Sequence, residues 1–300
     1  MSGTYKAIGI NLKSTPLGET DRLLTILTEE HGLLRVVAPG CRKHKSSLGG
    51  RSSLFVVNEL LIAKGRNLDK IIQAESVESY PGLSQDLRKL TASQYLAELT
   101  LYQALSDQPQ TELFCLLREH LSRLEKLPEA TILASLIHAM FHLLTIAGLA
   151  PQVQLCCVSQ QPLDPNWTDP NWRIGFSIVA GGTVKLSALE QLATESLMLR
   201  AKSVNRSVSS GQSQTPSSPP SDLCVHLDAM QLSFLQQLAK PNLVQDLIQT
   251  EGGLRAGDFR VWLSIERILR HYAQYHFDRP IRSATLIDTC FLSANAPSLV

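Results

Sequence analysis

Apolar positions recur with two different periods along this chain, and the change falls near residue 80. Up to that point apolar and polar residues alternate. Residues 5–12, 22–28, 33–38, 54–63 and 70–74 each read as a short strand, punctuated at Pro16-Leu17-Gly18-Glu19, His31-Gly32, Pro39-Gly40 and Gly65-Arg66-Asn67. Beyond Tyr80-Pro81-Gly82 the period becomes 3.6. Leu87, Leu90, Leu96, Leu99, Tyr102 and Leu105 predict a helix with Ser84 as its N-cap, ended before Pro109. Leu113, Leu117, Leu121 and Leu124 predict a second, and Ile132, Leu136, Met140, Leu143 and Ala147 a third, stopped by Gly148 and Pro151. Five short strands with polar connections suit a small closed β-barrel of the OB type, since closure removes the sheet edges. The three helices pack as a bundle. The fold class is therefore α+β, with a barrel over residues 1–80 and a helical domain over residues 81–300.

The second half is less regular. Residues 151–187 are rich in proline, tryptophan and glycine, and Phe176-Ser177-Ile178-Val179 followed by Gly181-Gly182-Thr183-Val184 reads as a small hairpin. Residues 203–221 are a Ser/Pro/Gln insertion too polar to offset its ordering entropy by burial, so a disordered surface loop is expected there. Helical spacing resumes at Asp228 with Leu232, Leu235 and Leu238, and again with Trp262, Ile265, Leu269 and Tyr272.

Charge sharpens the division. The formal net charge is only +1, but residues 1–70 carry eleven Lys and Arg against six Asp and Glu, a net of +5. Residues 71–200 carry eight against thirteen, a net of −5. Cations thus gather on the barrel, as on a module that meets nucleic acid. They are densest in the connection after the third strand. Arg35, Arg42, Lys43, Lys45 and Arg51, with Lys64 and Arg66 on the facing turn, are the candidate phosphate contacts. Gly40, Gly49 and Gly50 allow close backbone approach, and Ser46, Ser47, Ser52 and Ser53 add neutral donors. The alternative is a solvated, poorly ordered loop. Tyr5 and Phe55 are the main aromatic residues of the barrel, and Phe55 reads as core, so sequence-specific base readout is not expected.

Other chemistries find little support. Neither a phosphate-binding G-x-x-x-x-G-K-[ST] loop nor a nucleophile elbow occurs. His138 and His142 lie four apart, but the zinc-protease pattern needs Glu after the first histidine and Ala139 stands there, so packing histidines are the expectation. The six cysteines are scattered, with Cys156 and Cys157 adjacent, which suits reduced thiols in a cytoplasmic protein. The N-terminus has no signal-peptide core, and no apolar run approaches the roughly 20 residues that span a bilayer.

Gly18-Glu19-Thr20-Asp21-Arg22-Leu23-Leu24, Thr28-Glu29-Glu30-His31-Gly32, Ala38-Pro39-Gly40-Cys41-Arg42-Lys43 and Gly65-Arg66-Asn67-Leu68-Asp69 through Ala74-Glu75, in that order and spacing, resemble the RecO family of bacterial DNA repair proteins. The resemblance covers residues 5–80 best, extends over the helices to Pro151, and returns at Leu269 to Ser283. It implies an OB barrel followed by a helical domain, with no catalytic activity and no cofactor. It further implies binding of single- and double-stranded DNA, annealing of complementary strands, and action with RecR to let RecA replace the single-strand-binding protein SSB. The helical domain would receive the acidic, apolar-ended C-terminal tail of SSB, for which Leu117, Arg118, Leu121 and Arg123 are the candidates. An RNA-binding OB protein is the alternative reading of the same electrostatics.

One departure from the family concerns zinc. Many RecO-like sequences place four cysteines after the third helix, as Cys-x-x-Cys and a second pair beyond a Gly-Gly turn. Here Cys156 takes the first position and Ser159 the second, and no cysteine follows Gly181-Gly182 before Ser187, so residues 151–187 are a degenerate, zinc-ribbon-like segment. One thiolate cannot close a tetrahedral site. Packing around Trp167, Trp172 and Phe176 is expected to hold the segment instead. Elemental analysis of the purified protein should accordingly find no stoichiometric zinc; one tightly held ion per chain would contradict the ligand count.

Overall fold

A computed structural model describes residues 3–188, 224–249 and 256–292. Strands β1 (Thr4–Leu17), β2 (Asp21–Thr28), β3 (Gly32–Ala38), β4 (Val57–Ala63) and β5 (Asp69–Glu78) close into a barrel in the order β1-β2-β3-β5-β4, the expected OB arrangement. β1 outruns its predicted end because it serves two neighbours. Its first half pairs with β4 from Thr4↔Ala63 to Ile10↔Val57, and its second with β2 from Gly9↔Thr28 to Leu17↔Asp21. A register irregularity between Asn11 and Lys13 lets it pass from one partner to the other. The chain therefore reverses at residues 18–20, and Pro16 and Leu17, expected in a turn, are strand. Parallel pairing of Val36 with Asp69 and of Val37 with Lys70 completes the circuit.

Alternation gives β1, β2 and β4 two apolar jobs. Leu24, Ile26, Val36, Ala38, Leu60, Ile62 and Ile71 fill the barrel. Ile10, Leu27 and Val57 point the other way, into a core shared with helices α1 (Leu87–Gln103), α2 (Thr111–Lys126) and α3 (Ile132–Ile146). Phe55 joins that core, as its sequence context suggested. The 3-10 turn Pro81–Ser84 delivers the chain to α1, whose N-cap is Asp86 rather than Ser84: Asp86 accepts the N–H groups of Arg88 and Lys89, while the Ser84 hydroxyl turns back to the Pro81 carbonyl.

The hairpin between β2 and β3 is joined to the α1–α2 connection almost wholly through backbone. Leu33 N–H donates to Leu105 O at 2.9 Å, Asp107 N–H to His31 O at 3.1 Å, and Gln110 N–H to Glu29 O at 2.9 Å. Gly32 sits at the centre with φ +65°, and a Cβ there would lie 2.1 Å from the Leu105 carbonyl oxygen. Only glycine meets both conditions.

The remaining elements cover the other side of the bundle. A three-stranded sheet of β6 (Ile174–Ser177), β7 (Gly182–Val184) and β8 (Cys224–Leu227), in the order β7-β6-β8, contains the expected hairpin and a strand reached after the insertion. The insertion itself, residues 203–221, lies outside the described residues. Phe176 is buried, with its ring 5.9 Å from that of Tyr272, but Trp167 is 63% exposed, so this segment is held by Ile174, Phe176 and Val184 without Trp167. Helices α4 (Ala229–Gln237), α5 (Leu243–Gln249), α6 (Ala256–Phe277) and α7 (Thr285–Leu292) follow. Glu129–Ile146 is long and apolar enough to cross a membrane by composition, which the sequence reading overlooked; 72% of it is buried, as befits the central helix of a bundle.

Three histidines meet inside that bundle. His120 Nε2 lies 3.2 Å from His142 Nδ1, and His138 Nε2 lies 2.9 Å from the Lys240 carbonyl. Burial pushes the His120 imidazole down to about 2 and that of His138 to about 4, and lowers His142 as well; their mutual proximity and Arg123 add to the effect. Neutral in the fold, they charge on unfolding, so their contribution is complete above the unfolded value near 6.5 and falls away below it. Urea unfolding between pH 7.5 and 5 should show stability falling with pH, by up to about 1.4 kcal/mol per unit for each added proton taken up by the unfolded chain. His120→Phe should make the decline shallower; an unchanged slope would show that His120 titrates alike in both states.

Candidate nucleic-acid interface

The basic connection, residues 39–56, is ordered from end to end. At its start Asp21 accepts the Gly40 N–H at 2.7 Å, and Arg42 N–H donates to the Thr20 carbonyl at 2.9 Å. Gly40 takes φ +62°, which lets the chain turn off β3 at that point. Cys41 and Leu48 drop into the barrel core. Successive turns, including the 3-10 turn Gly50–Ser52, follow. At the far end two buried carboxamides grip the backbone: Asn11 Nδ2 donates to Arg51 O at 2.7 Å and to Ser53 O at 2.8 Å, and Asn58 Nδ2 to Arg51 O at 2.9 Å. The reading of a loosely solvated loop does not describe this segment.

Its polar donors are not all free. Ser52 is buried and donates to the Gly49 carbonyl, and the Ser46 oxygen accepts the Leu48 N–H, so only Ser47 and Ser53 of the four serines stay exposed. The cations differ. Arg35, Arg42, Lys43, Lys45, Lys64 and Arg66 are exposed, and neither they nor Arg51 form an ion pair among the described residues. Arg42 and Arg51 instead donate to the Gly18 and Ser47 carbonyls.

Strand register shows how they assemble. On the outer face of the barrel Lys13, Thr25 and Arg35 form one cross-strand row; Thr15, Leu23, Val37 and Lys70 form the next. Cross-strand and diagonal neighbours of this kind lie within the reach of long side chains. Lys13 and Lys70, both exposed, were not among the sequence candidates, because only pairing across strands brings them beside Arg35. Lys43 and Lys70 both act on Asp21, whose carboxyl is held below its usual range first by the Gly40 N–H, then by Thr20 and these two cations. The β4–β5 turn adjoins this end: Ala63 pairs with Lys70, and Lys64 Nζ stands 6.0 Å from the centre of the Tyr5 ring. Tyr5 is held in turn by a 2.6 Å bond from its hydroxyl to Asp69. Arg51 stands apart, at the seam between β1 and β4. The resulting surface is cationic, poor in aromatic rings and rigidly backed, which suits a sugar-phosphate chain more than base readout.

The family model for the N-terminal part of recombination protein O matches residues 1–80, and that for its C-terminal part matches residues 84–211. The chain belongs to the RecO family. A protein of Nostoc sp. named DNA repair protein RecO is 54% identical over 304 residues, covering 97% of each chain. Proteins of the same name from Cyanothece sp. and Gloeobacter violaceus are 55% and 41% identical, over 97% and 99% of this chain and 97% and 98% of their own.

The candidate site for the SSB tail does not meet the structure as expected. Leu117 and Leu121, offered as an apolar groove for the SSB tail, are fully buried in the bundle and present no surface. Arg118 is bound to Glu78 of β5 at 2.8 and 3.1 Å, and Arg123 to Glu119 and the Pro241 carbonyl, so neither is a free cation at a groove rim. The stripe Leu113-Leu117-Leu121-Leu124 that defines α2 is the face that turns inward, so the same leucines are not free to line a surface groove. At the zinc-ribbon remnant the Cys156 sulfur accepts N–H groups from Ser159 at 3.4 Å and Lys185 at 3.3 Å. Among the described residues no cluster of three or more His, Cys, Asp or Glu is arranged to hold a metal ion.

Removing the carboxamide clamp should release the loop. Asn11→Ala leaves the Ser53 carbonyl without its donor and the Arg51 carbonyl with Asn58 alone, a change of about 1–3 kcal/mol when such groups are buried. The expected outcome is a lower urea midpoint together with weaker binding of single-stranded DNA in fluorescence anisotropy, although no cation has been removed. Full DNA affinity with reduced stability would show that the loop needs no fixing to bind.

Proposed function

We propose that this RecO-family protein is a non-enzymatic recombination mediator that holds single- and double-stranded DNA on the barrel and anneals complementary strands. In this reading the barrel, residues 1–80, carries the DNA, and the helical part, residues 81–300, carries docking. With RecR, and through SSB, it promotes loading of RecA, working in the cytoplasm beside the chromosome. The observation that supports the reading is the set of cations that form no ion pair among the described residues, on a hydrogen-bonded loop and the strands beside it. Neutralising phosphates on two strands at one surface lowers their mutual repulsion, so annealing draws on released counterions and needs no nucleotide hydrolysis.

The test is annealing of complementary oligonucleotides without ATP, with and without SSB. Arg42→Glu, Lys43→Glu and Lys45→Glu, combined, should abolish annealing and flatten the salt dependence, which is worth about −0.7 in log-log slope per phosphate contact on single strands. The thermal midpoint should barely move, because all three side chains are exposed. Normal annealing by this variant would remove the loop from the mechanism, and tighter binding of RNA than of DNA with no annealing would favour an RNA-binding role.

A further inference from the structure

Between the barrel and the helices lies a cleft of about 640 Å³ walled by β1, α1 and the segment that joins α6 to α7. Its floor is apolar, with Leu12, Ala97 and Leu101, and Tyr102 stands on one side. Three exposed cations, Lys13, Arg279 and Arg282, line it, and none of them forms an ion pair among the described residues. Its one carboxylate, Glu98, is engaged by the chain itself. Glu98 accepts the N–H of Arg282 at 3.0 Å, the N–H and hydroxyl of Ser283 at 2.9 and 2.7 Å, and the Tyr102 hydroxyl at 2.7 Å. These bonds use the backbone of Arg282 and leave its guanidinium to the cleft. Arg279 stands 5.7 Å from the centre of the Tyr102 ring. The site therefore offers a net positive rim over an apolar floor, beside an aromatic ring already accompanied by a guanidinium.

Lys13 belongs to this cleft and also to the outer row Lys13–Thr25–Arg35. Row and cleft therefore share Lys13, through which a strand lying along the row can pass into the cleft. We propose that the cleft is a second subsite for single-stranded nucleic acid, taking the continuation of the strand held on the barrel: Lys13, Arg279 and Arg282 contact its phosphates, and Tyr102 with the apolar floor receives its bases. The inference rests on the reading of the barrel as a strand-binding surface. An acidic peptide with an apolar end shares part of this chemistry, but the continuity through Lys13 favours the strand.

The two ideas separate by oligonucleotide length. One OB barrel covers about 4–16 nucleotides, so a dT 8-mer, roughly within that range, and a dT 30-mer, well beyond it, distinguish the barrel alone from the barrel plus cleft. Arg279→Ala combined with Arg282→Ala, in the full chain, should weaken 30-mer binding about tenfold and leave 8-mer binding within about twofold. The salt slope for the 30-mer should fall by about 1.4, two contacts at 0.7 each. Arg279→Lys with Arg282→Lys should restore most of the loss, and a 30-mer carrying 5-iodouracil should cross-link to Tyr102. Unchanged 30-mer affinity in the double alanine variant, while the loop variant loses both lengths, overturns the cleft and spares the barrel. Wild-type binding of both lengths by the loop variant instead overturns the barrel reading. If the alanine variant loses only an acidic, apolar-ended peptide and keeps the strand, the cleft is a peptide site and the proposal fails.

Discussion

The carbonyl of Arg51 is caught between two carboxamides that the barrel keeps out of water, and much of this protein's surface chemistry follows from that grip. Asn11 and Asn58 are buried strand residues on adjoining strands, and a buried amide costs dearly unless it finds partners. The loop supplies acceptors for both Nδ2 groups. In return the end of the loop is fixed, Leu48 and Cys41 are seated in the barrel, and the cations between are presented outward from a stiff base. A positively charged segment of this length would otherwise be pushed apart by its own charge. Burial and hydrogen bonding hold it down, Asp21 through the Gly40 N–H among them, and none of its cations forms an ion pair among the described residues.

The same economy shows in the barrel wall. One set of strand residues fills the interior, while Ile10, Leu27 and Val57 of the opposite set build the shared core with the helices. Further along β1 and β2, past the irregularity at Asn11, the outward residues become Lys13, Thr15, Leu23 and Thr25. Along β1 and β2 the outside of the sheet thus passes from a helix-packing face to a cationic face. The net charge of +5 over the first seventy residues acquires its meaning only from that division.

Much of the architecture was legible in the sequence because period is a local property. The alternation in residues 5–74 gave the barrel, and the 3.6 spacing beyond residue 80 gave the three helices. Candidate site residues on the basic loop could be named because charge density is local too. Lys13 and Lys70 could not, since their membership depends on pairing between strands far apart in the chain. Asp21, Asn11 and Asn58 were hidden for a related reason: in the sequence they are ordinary polar positions, and only burial and bonding reveal them as anchors. The opposite error befell α2. Leucines and arginines on one turn looked like a groove with a charged rim, whereas the leucines face the core and the arginines are satisfied by Glu78, Glu119 and a backbone oxygen.

The join between the β2–β3 hairpin and the α1–α2 connection has a consequence for how this protein can vary. Its bonds run from main chain to main chain, so they depend little on which side chains occupy residues 105–110, apart from Asp107, whose φ of +61° favours Asp, Asn or Gly. Length is another matter: one residue more or fewer would throw the two backbones out of step. Gly32 is a second exception to the tolerance, as the only point where the approach is too close for any side chain at all.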